Sequence, residues 1–221
     1  IGKGINRFHT IYWPAILLSA GLQLPTKVFV HGYITSEGQK MSKSIGNVID
    51  PNDLLDKYGT EATRYLLLRH VHSTEDSDVT WERLDEWYTA NLVNGLGNLV
   101  ARVMKMAETH EVTWKDYVGD DKNLHGYPGV WDTGWESFDF KEVADGIWGK
   151  ISALDSYIQH EEPFKKIKTD PEVAKKDIAY LLSHLLRISF ELEPLMPNTA
   201  LILRDAINEN KKPENLFPRL P

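Results

Sequence analysis

Strand-forming residues are concentrated in one short run near the start of this chain, and past residue 75 come long stretches that repeat apolar residues at helical spacing. The run Lys27-Val28-Phe29-Val30-His31-Gly32-Tyr33-Ile34 is rich in β-branched and aromatic side chains and reads as a buried strand. Before it, Phe8, Ile11, Tyr12, Ala15 and Leu18 recur every three or four residues, which predicts a helix over 5–20. Pro14 must sit in its first turn or kink it, and Gly21 ends it. After the run, Ser36-Glu37-Gly38-Gln39 supplies turn chemistry and leads into Lys40-Met41-Ser42-Lys43-Ser44. A helix then starts at Pro51 with Asp50 as its cap and runs to Tyr58. Gly59 interrupts it, and a second begins near Thr60. Helix, strand, loop and helix in this order fit the last crossover of a parallel α/β sheet. So little of a sheet leaves neither face fully covered, and exposed apolar surface is expected.

Residues 72–78 read as a polar linker, and the organisation changes there. We expect an α/β fragment over 1–75 and an all-α helical bundle over 76–221. Helical patterns run over 81–108, 140–159 and 171–193, the last with Ile178, Leu181, Leu182, Leu185, Leu186 and Ser189 in one stripe. Residues 114–137, with Gly119, Gly126, Pro128, Gly129 and Gly134, read as a long loop.

Cysteine is absent, which excludes a disulfide scaffold, thiolate metal sites and a cysteine nucleophile. No apolar run approaches the ~18–20 residues a membrane helix needs, so no membrane partner is expected. The net charge of −7 divides unevenly, +3 over residues 1–70 and −10 over the remainder. Contact with nucleic acid would therefore be local. The start at Ile1 reads as a chain taken from something longer.

The most specific string is Lys40-Met41-Ser42-Lys43-Ser44. Two lysines three residues apart on a glycine-bearing loop can bring two ammonium groups to one triphosphate, while hydroxyl and backbone N–H groups bond its oxygens. Charge that develops on a pyrophosphate leaving group calls for such a clamp. A solvated basic loop is the plainer account of two lysines alone, but not of the whole pentapeptide behind a strand. Asn98 and Arg102, four apart, share one helix face from which they could reach base edges. Phe164, after Pro163 at a helix junction, could stack on a splayed base. Lys165, Lys166 and Lys168 beside it could meet phosphates or form a solvated run. His70 and His72 with Asp76 and Asp78 lack the fixed spacing of a metal site, and no protein metal site is expected.

The pentapeptide matches the KMSKS signature of class I aminoacyl-tRNA synthetases. Around it, Gly2-Lys3, Arg7-Phe8-His9, Tyr12-Trp13-Pro14-Ala15 and the run Val28-Phe29-Val30-His31-Gly32-Tyr33 resemble the methionyl-tRNA synthetase family. Asn98-Leu99 with Arg102, and Glu162-Pro163-Phe164, resemble that family's anticodon-binding helices. The resemblance implies the second half of a Rossmann-like catalytic fold followed by an anticodon-binding bundle. It implies activation of methionine with ATP to methionyl-adenylate, Mg²⁺ assisting, and transfer to tRNA-Met in the cytoplasm. Lys40 and Lys43 would then be catalytic. ATP would meet Gly2, His31, Gly32, Lys40, Met41, Ser42, Lys43 and Ser44. Ile5, His9 and Trp13 would line the methionine pocket, and Asn98, Arg102 and Phe164 would read the anticodon. Position 4, where the family usually carries an Asp facing the ribose, is Gly4. No H-I-G-H-like string occurs, so the resemblance implies that a missing N-terminal half completes the active site and that this chain alone is inactive. A non-catalytic tRNA-binding or assembly module derived from a synthetase is the competing reading. A helical interaction protein would leave strand, glycines and lysines coinciding by accident.

Overall fold

The first helical stretch accommodates its proline by a change of winding. Pro14 stands in the first turn of α1 (Trp13–Ser19), as expected, and Phe8–Tyr12 just before it is a π-helix in which the Trp13 N–H reaches the Phe8 carbonyl. Gly21, with φ of +65°, closes the stretch. These elements belong to a computed structural model that describes residues 1–117 and 130–220.

The strand expected over 27–34 is shifted. Residues 29–31 are extended but find their partners in residues 1–3: the Ile1 ammonium donates to Phe29 O (2.8 Å), His31 N–H to Ile1 O (2.9 Å) and Lys3 N–H to His31 O (3.3 Å). Regular pairing starts only at β1 (Ile34–Ser36), which lies antiparallel to β2 (Gln39–Lys40) and parallel to β3 (Ser77–Asp78), in the order β2-β1-β3. The sheet is thus mixed rather than parallel. The supposed linker over 72–78 contributes a strand to it, because strand formation follows available ladder partners more than local composition.

α2 (Pro51–His70) is capped by Asp50, whose side chain accepts from Asn52 N–H (2.8 Å), and it breaks at Gly59 (φ +76°), where the sequence placed a stop and restart. A continuous helical rod follows: α3 (Trp81–Trp87), a π-helical stretch (Tyr88–Gly97) and α4 (Asn98–His110). At both ends of the loop expected over 114–137 the described residues include regular structure. Thr113 and Asp116 close a short turn by reciprocal bonds, and α5 (Val130–Ser137) is helical. Gly134 misled the reading. It sits where the Val143 side chain leaves no room for a Cβ, so packing rather than a turn selects it. Gly119, Gly126, Pro128 and Gly129 lie outside the described residues. α6 (Phe140–Glu161), the single turn α7 (Pro163–Lys166) and α8 (Pro171–Leu192) follow, then α9 (Pro197–Glu209), a helix that periodicity did not mark.

The core lies among these helices. The whole α8 stripe is buried, against α4, α6 and α9. α2 is tied on by Arg64, which donates to the carbonyls of Pro194 (2.9 Å) and Leu195 (3.1 Å), and by Glu61, which accepts from Thr199 N–H (3.0 Å) at the start of α9. Among residues 1–50 only Ser36 is buried. No helix among the described residues is long and apolar enough to cross a membrane.

Candidate functional site

Two polar anchors hold the lysine-bearing hairpin in place. Asp78 accepts from Gly38 N–H (2.7 Å) and the Thr35 hydroxyl (3.1 Å) through one oxygen, and from Arg83 of α3 (3.0 Å) through the other. The Gly38 bond, then the Thr35 bond and the Arg83 charge, keep its carboxyl below the usual range. Asp76 accepts from Lys3 Nζ (2.5 Å) and from Tyr33 N–H (2.8 Å), and these bonds lower its pKa likewise. Gly32 lets this segment approach, since a Cβ there would lie 2.1 Å from the Glu75 carbonyl oxygen.

From that base β2 delivers Lys40, and residues 41–46 turn back in a tight loop. The Ser42 carbonyl accepts from Ile45 and Gly46 N–H (3.1 Å each), and the Ser42 and Ser44 hydroxyls are 2.8 Å apart. Lys40 and Lys43 are exposed; the Lys40 ammonium stands 5.6 Å above the Tyr33 ring, and Lys3 stands 4.6 Å above the same ring. Gly2 bridges in parallel to His31, whose Nδ1 lies 3.0 Å from Gly32 O. Gly2, His31 and Gly32 thus adjoin Lys3 and Tyr33 at the foot of the hairpin. At Gly4 a Cβ would lie 2.4 Å from the Tyr33 hydroxyl, so a larger residue there would require the end of the Tyr33 side chain to shift.

Ile5, His9 and Trp13 share one helix face. His9 Nδ1 is 3.1 Å from Ile5 O, and the His9 and Trp13 rings meet edge-on at 6.2 Å. Trp13 is 42% exposed, which excludes a core-filling role within this chain.

In the helical part, Arg102 and Phe164 line one cavity of about 450 Å³, together with Ala101, Lys105, Met106, Ile158 and Lys212. Arg102 pairs with Asp155 (2.5 Å), whose other oxygen accepts from Gln159 Nε2 (2.7 Å), so the guanidinium is held at the cavity wall. Asn98 is exposed one turn away and opens onto a neighbouring cavity of about 440 Å³, lined by Asn94 and residues 213–219. The two cavities share Ala101. The expected trio is therefore a pair with a flanking third member.

Sequence reasoning weighed Asp76 and Asp78 only as members of a metal cluster and gave Asp155 no part, whereas here the first two anchor the hairpin and Asp155 holds Arg102. His70 and His72 serve the fold: His70 stacks on Trp87 (centroids 4.1 Å apart), and His72 Nδ1 accepts from Thr74 and Glu75 N–H (3.1 and 3.0 Å). Lys165 pairs with Glu162 (2.6 Å), and Lys166 pairs with Glu161 and with Asp177 (3.3 Å), which leaves little of the lysine run for phosphates. Among the described residues no group of three or more His, Asp or Glu side chains could hold a metal ion.

Known proteins resemble this chain along its length. The family model described as tRNA synthetases class I (M) matches residues 1–104. A methionine–tRNA ligase of Synechocystis is 35% identical across 89% of this chain and 39% of its own length. One from Caldanaerobacter subterraneus is 37% identical across 90% of this chain and 33% of its own. The chain thus spans well under half of these relatives. The structure of Mycobacterium tuberculosis methionyl-tRNA synthetase in complex with methionyl-adenylate superposes on the whole chain with a TM-score of 0.76 at 28% identity, over 48% of that protein.

Proposed function

The chain belongs to the methionyl-tRNA synthetase family of class I tRNA synthetases, and from that premise we propose that it carries the phosphate-clamping loop of methionine activation and the helices that read the tRNA anticodon. The reaction is attack of the methionine carboxylate on the α-phosphate of ATP, which gives methionyl-adenylate and pyrophosphate, followed by transfer to tRNA-Met in the cytoplasm. What supports it best is the anchored hairpin that presents Lys40 and Lys43 to solvent, in a chain that superposes throughout on a synthetase holding methionyl-adenylate.

Each residue then has a task. Lys40 and Lys43 neutralise charge that builds on the leaving pyrophosphate, with Met41, Ser42 and Ser44 shaping the loop beside it. Gly2, His31 and Gly32 form a floor for the adenosine, and Ile5, His9 and Trp13 border the methionine thioether, which gains from aromatic contact. In-line attack on a phosphate needs positioning more than proton removal, so no general base is assigned. Among the described residues no cluster of three or more carboxylate or imidazole groups forms a cage for Mg²⁺, and no step is assigned to it. The remaining half of the catalytic fold, outside this sequence, would close the site over the apolar face of α1.

The test is methionine-dependent ATP–pyrophosphate exchange by the complete synthetase. Lys43→Ala should lower it at least ~10²-fold, the scale of one lost preorganised transition-state contact. Exchange within twofold of the parent would overturn the clamp. Exchange absent in the parent itself would favour a non-catalytic tRNA-binding module.

A further inference from the structure

One side chain ties both strands of the hairpin to the tip of its loop, and nothing above gives it a part in the reaction. Asn47 is half-buried beneath residues 40–46. Its Oδ1 accepts from Ser42 N–H (2.8 Å), and its Nδ2 reaches the carbonyls of Ser36 at the end of β1 and Lys40 at the end of β2 (3.4 Å each). The carboxamide thus uses its acceptor and its donor group at three points that lie five to eleven residues before it in the chain. Lys43, Ser44, Ile45 and Gly46 are all exposed, so apolar burial does little to order this segment. Fixing such residues costs backbone entropy, which local bonds must offset.

We propose that Asn47 is the positioning residue of the phosphate clamp: it holds the loop between Lys40 and Lys43 in one conformation before ATP arrives. The inference rests on the clamp reading above and deepens it. Electrostatic stabilisation of a leaving group is effective only where the charges stand in place before reaction, because a mobile ammonium must be reorganised during the step. Asn47 touches no reacting atom and acts through the placement of Lys43 on the loop. The chemistry of the amide is specific. An Asp of the same shape keeps the acceptor for Ser42 N–H but turns its second oxygen toward two carbonyls, which repel it.

The experiment uses the complete synthetase and methionine-dependent ATP–pyrophosphate exchange. Asn47→Ala should lower kcat at least ~10-fold with the methionine KM within about twofold, and Asn47→Asp should do the same. Asn47→Asp preserves volume and carries the test if Asn47→Ala does not fold. The deciding variant combines Lys43→Ala with Asn47→Ala. If Asn47 works through Lys43, the double variant should lie within about threefold of Lys43→Ala alone, since the second change removes what the first already lost. Losses that multiply would make Asn47 a general structural residue and overturn the proposal. So would exchange within about twofold of the parent in Asn47→Asp. If Lys43→Ala falls while both Asn47 variants keep their rate, the positioning role alone fails. If Lys43→Ala also keeps its rate, the clamp reading fails with it.

Discussion

Residues 1–50 and residues 51–220 hold their shape by different means. The helices bury a continuous core, in which Leu92, Leu96, Val103, Met104, Leu181 and Leu182 are inaccessible to solvent. The first fifty residues bury almost nothing. Ile16 and Leu18 are each 64% exposed, and the segment is held by backbone bridges, Asp76, Asp78 and Asn47. The difference teaches where each property resides. Stability belongs to the helices, while the residues proposed for chemistry sit on polar ties that leave their charged ends in solvent. An apolar face as open as that of α1 fits a surface that further protein covers, in line with relatives more than twice as long.

The largest effect that could break this comparison is on stability. Leu182→Ala should cost about 2–5 kcal/mol in urea denaturation of the 221-residue chain. Ile16→Ala in the same chain should stay within about 0.5 kcal/mol. Equal costs would mean that the first region has a core of its own. Next comes the division of labour. Arg102→Ala and Phe164→Ala should each weaken aminoacylation of tRNA-Met by about 1–3 kcal/mol, while adenylate formation without tRNA is unchanged. Loss in both assays would show a folding defect and refute anticodon reading. Smaller again, Trp13→Ala should raise the methionine KM by the equivalent of about 0.3–1.5 kcal/mol. An unchanged KM would remove Trp13 from the methionine pocket.

How much of this was legible in the sequence follows the same division. Helices with strong periodicity, the stop at Gly59 and the stripe on α8 could be read, because their signals are local. Exposure of the first region was foreseen from the shortage of sheet. Lost were features that depend on distant partners. Ser77 and Asp78 look like linker and form a strand only because Ile34 and Thr35 lie beside them. Residues 29–31 look like a strand but pair with residues 1–3 as a short bridge. The lysines of the loop were legible as a motif, whereas the residues that hold them were not. Asp76 and Asp78 stand 36 and 38 positions beyond Lys40 in the chain, where no pattern connects them.

The smallest effect concerns pH and separates the two regions by their titrating groups. His70, at the end of α2, lies face to face with Trp87 and edge-on to Tyr65 (6.0 Å), and its Nε2 is 3.4 Å from the Asn91 amide nitrogen, which donates to the neutral ring. Burial pushes its pKa down to about 4; the nearby Arg69 and Lys141 charges add to this and Asp145 opposes it. In the unfolded chain it titrates near the usual 6.5. Between these values the unfolded state binds the extra proton, so stability rises with pH there and falls as pH drops from about 6.5 toward 4. Above 6.5 both states are neutral and His70 contributes no pH dependence. His70→Gln should therefore flatten the fall in melting temperature between pH 7 and pH 5. Asp76 and Asp78, held below the usual carboxylate range, keep the hairpin tied at pH 5. Mild acid should thus loosen the helical junction at α2 and leave the lysine-bearing loop in place. A variant whose melting temperature falls as steeply as the parent's would place the acid-sensitive group elsewhere, and loss of the hairpin before the helices would invert the comparison.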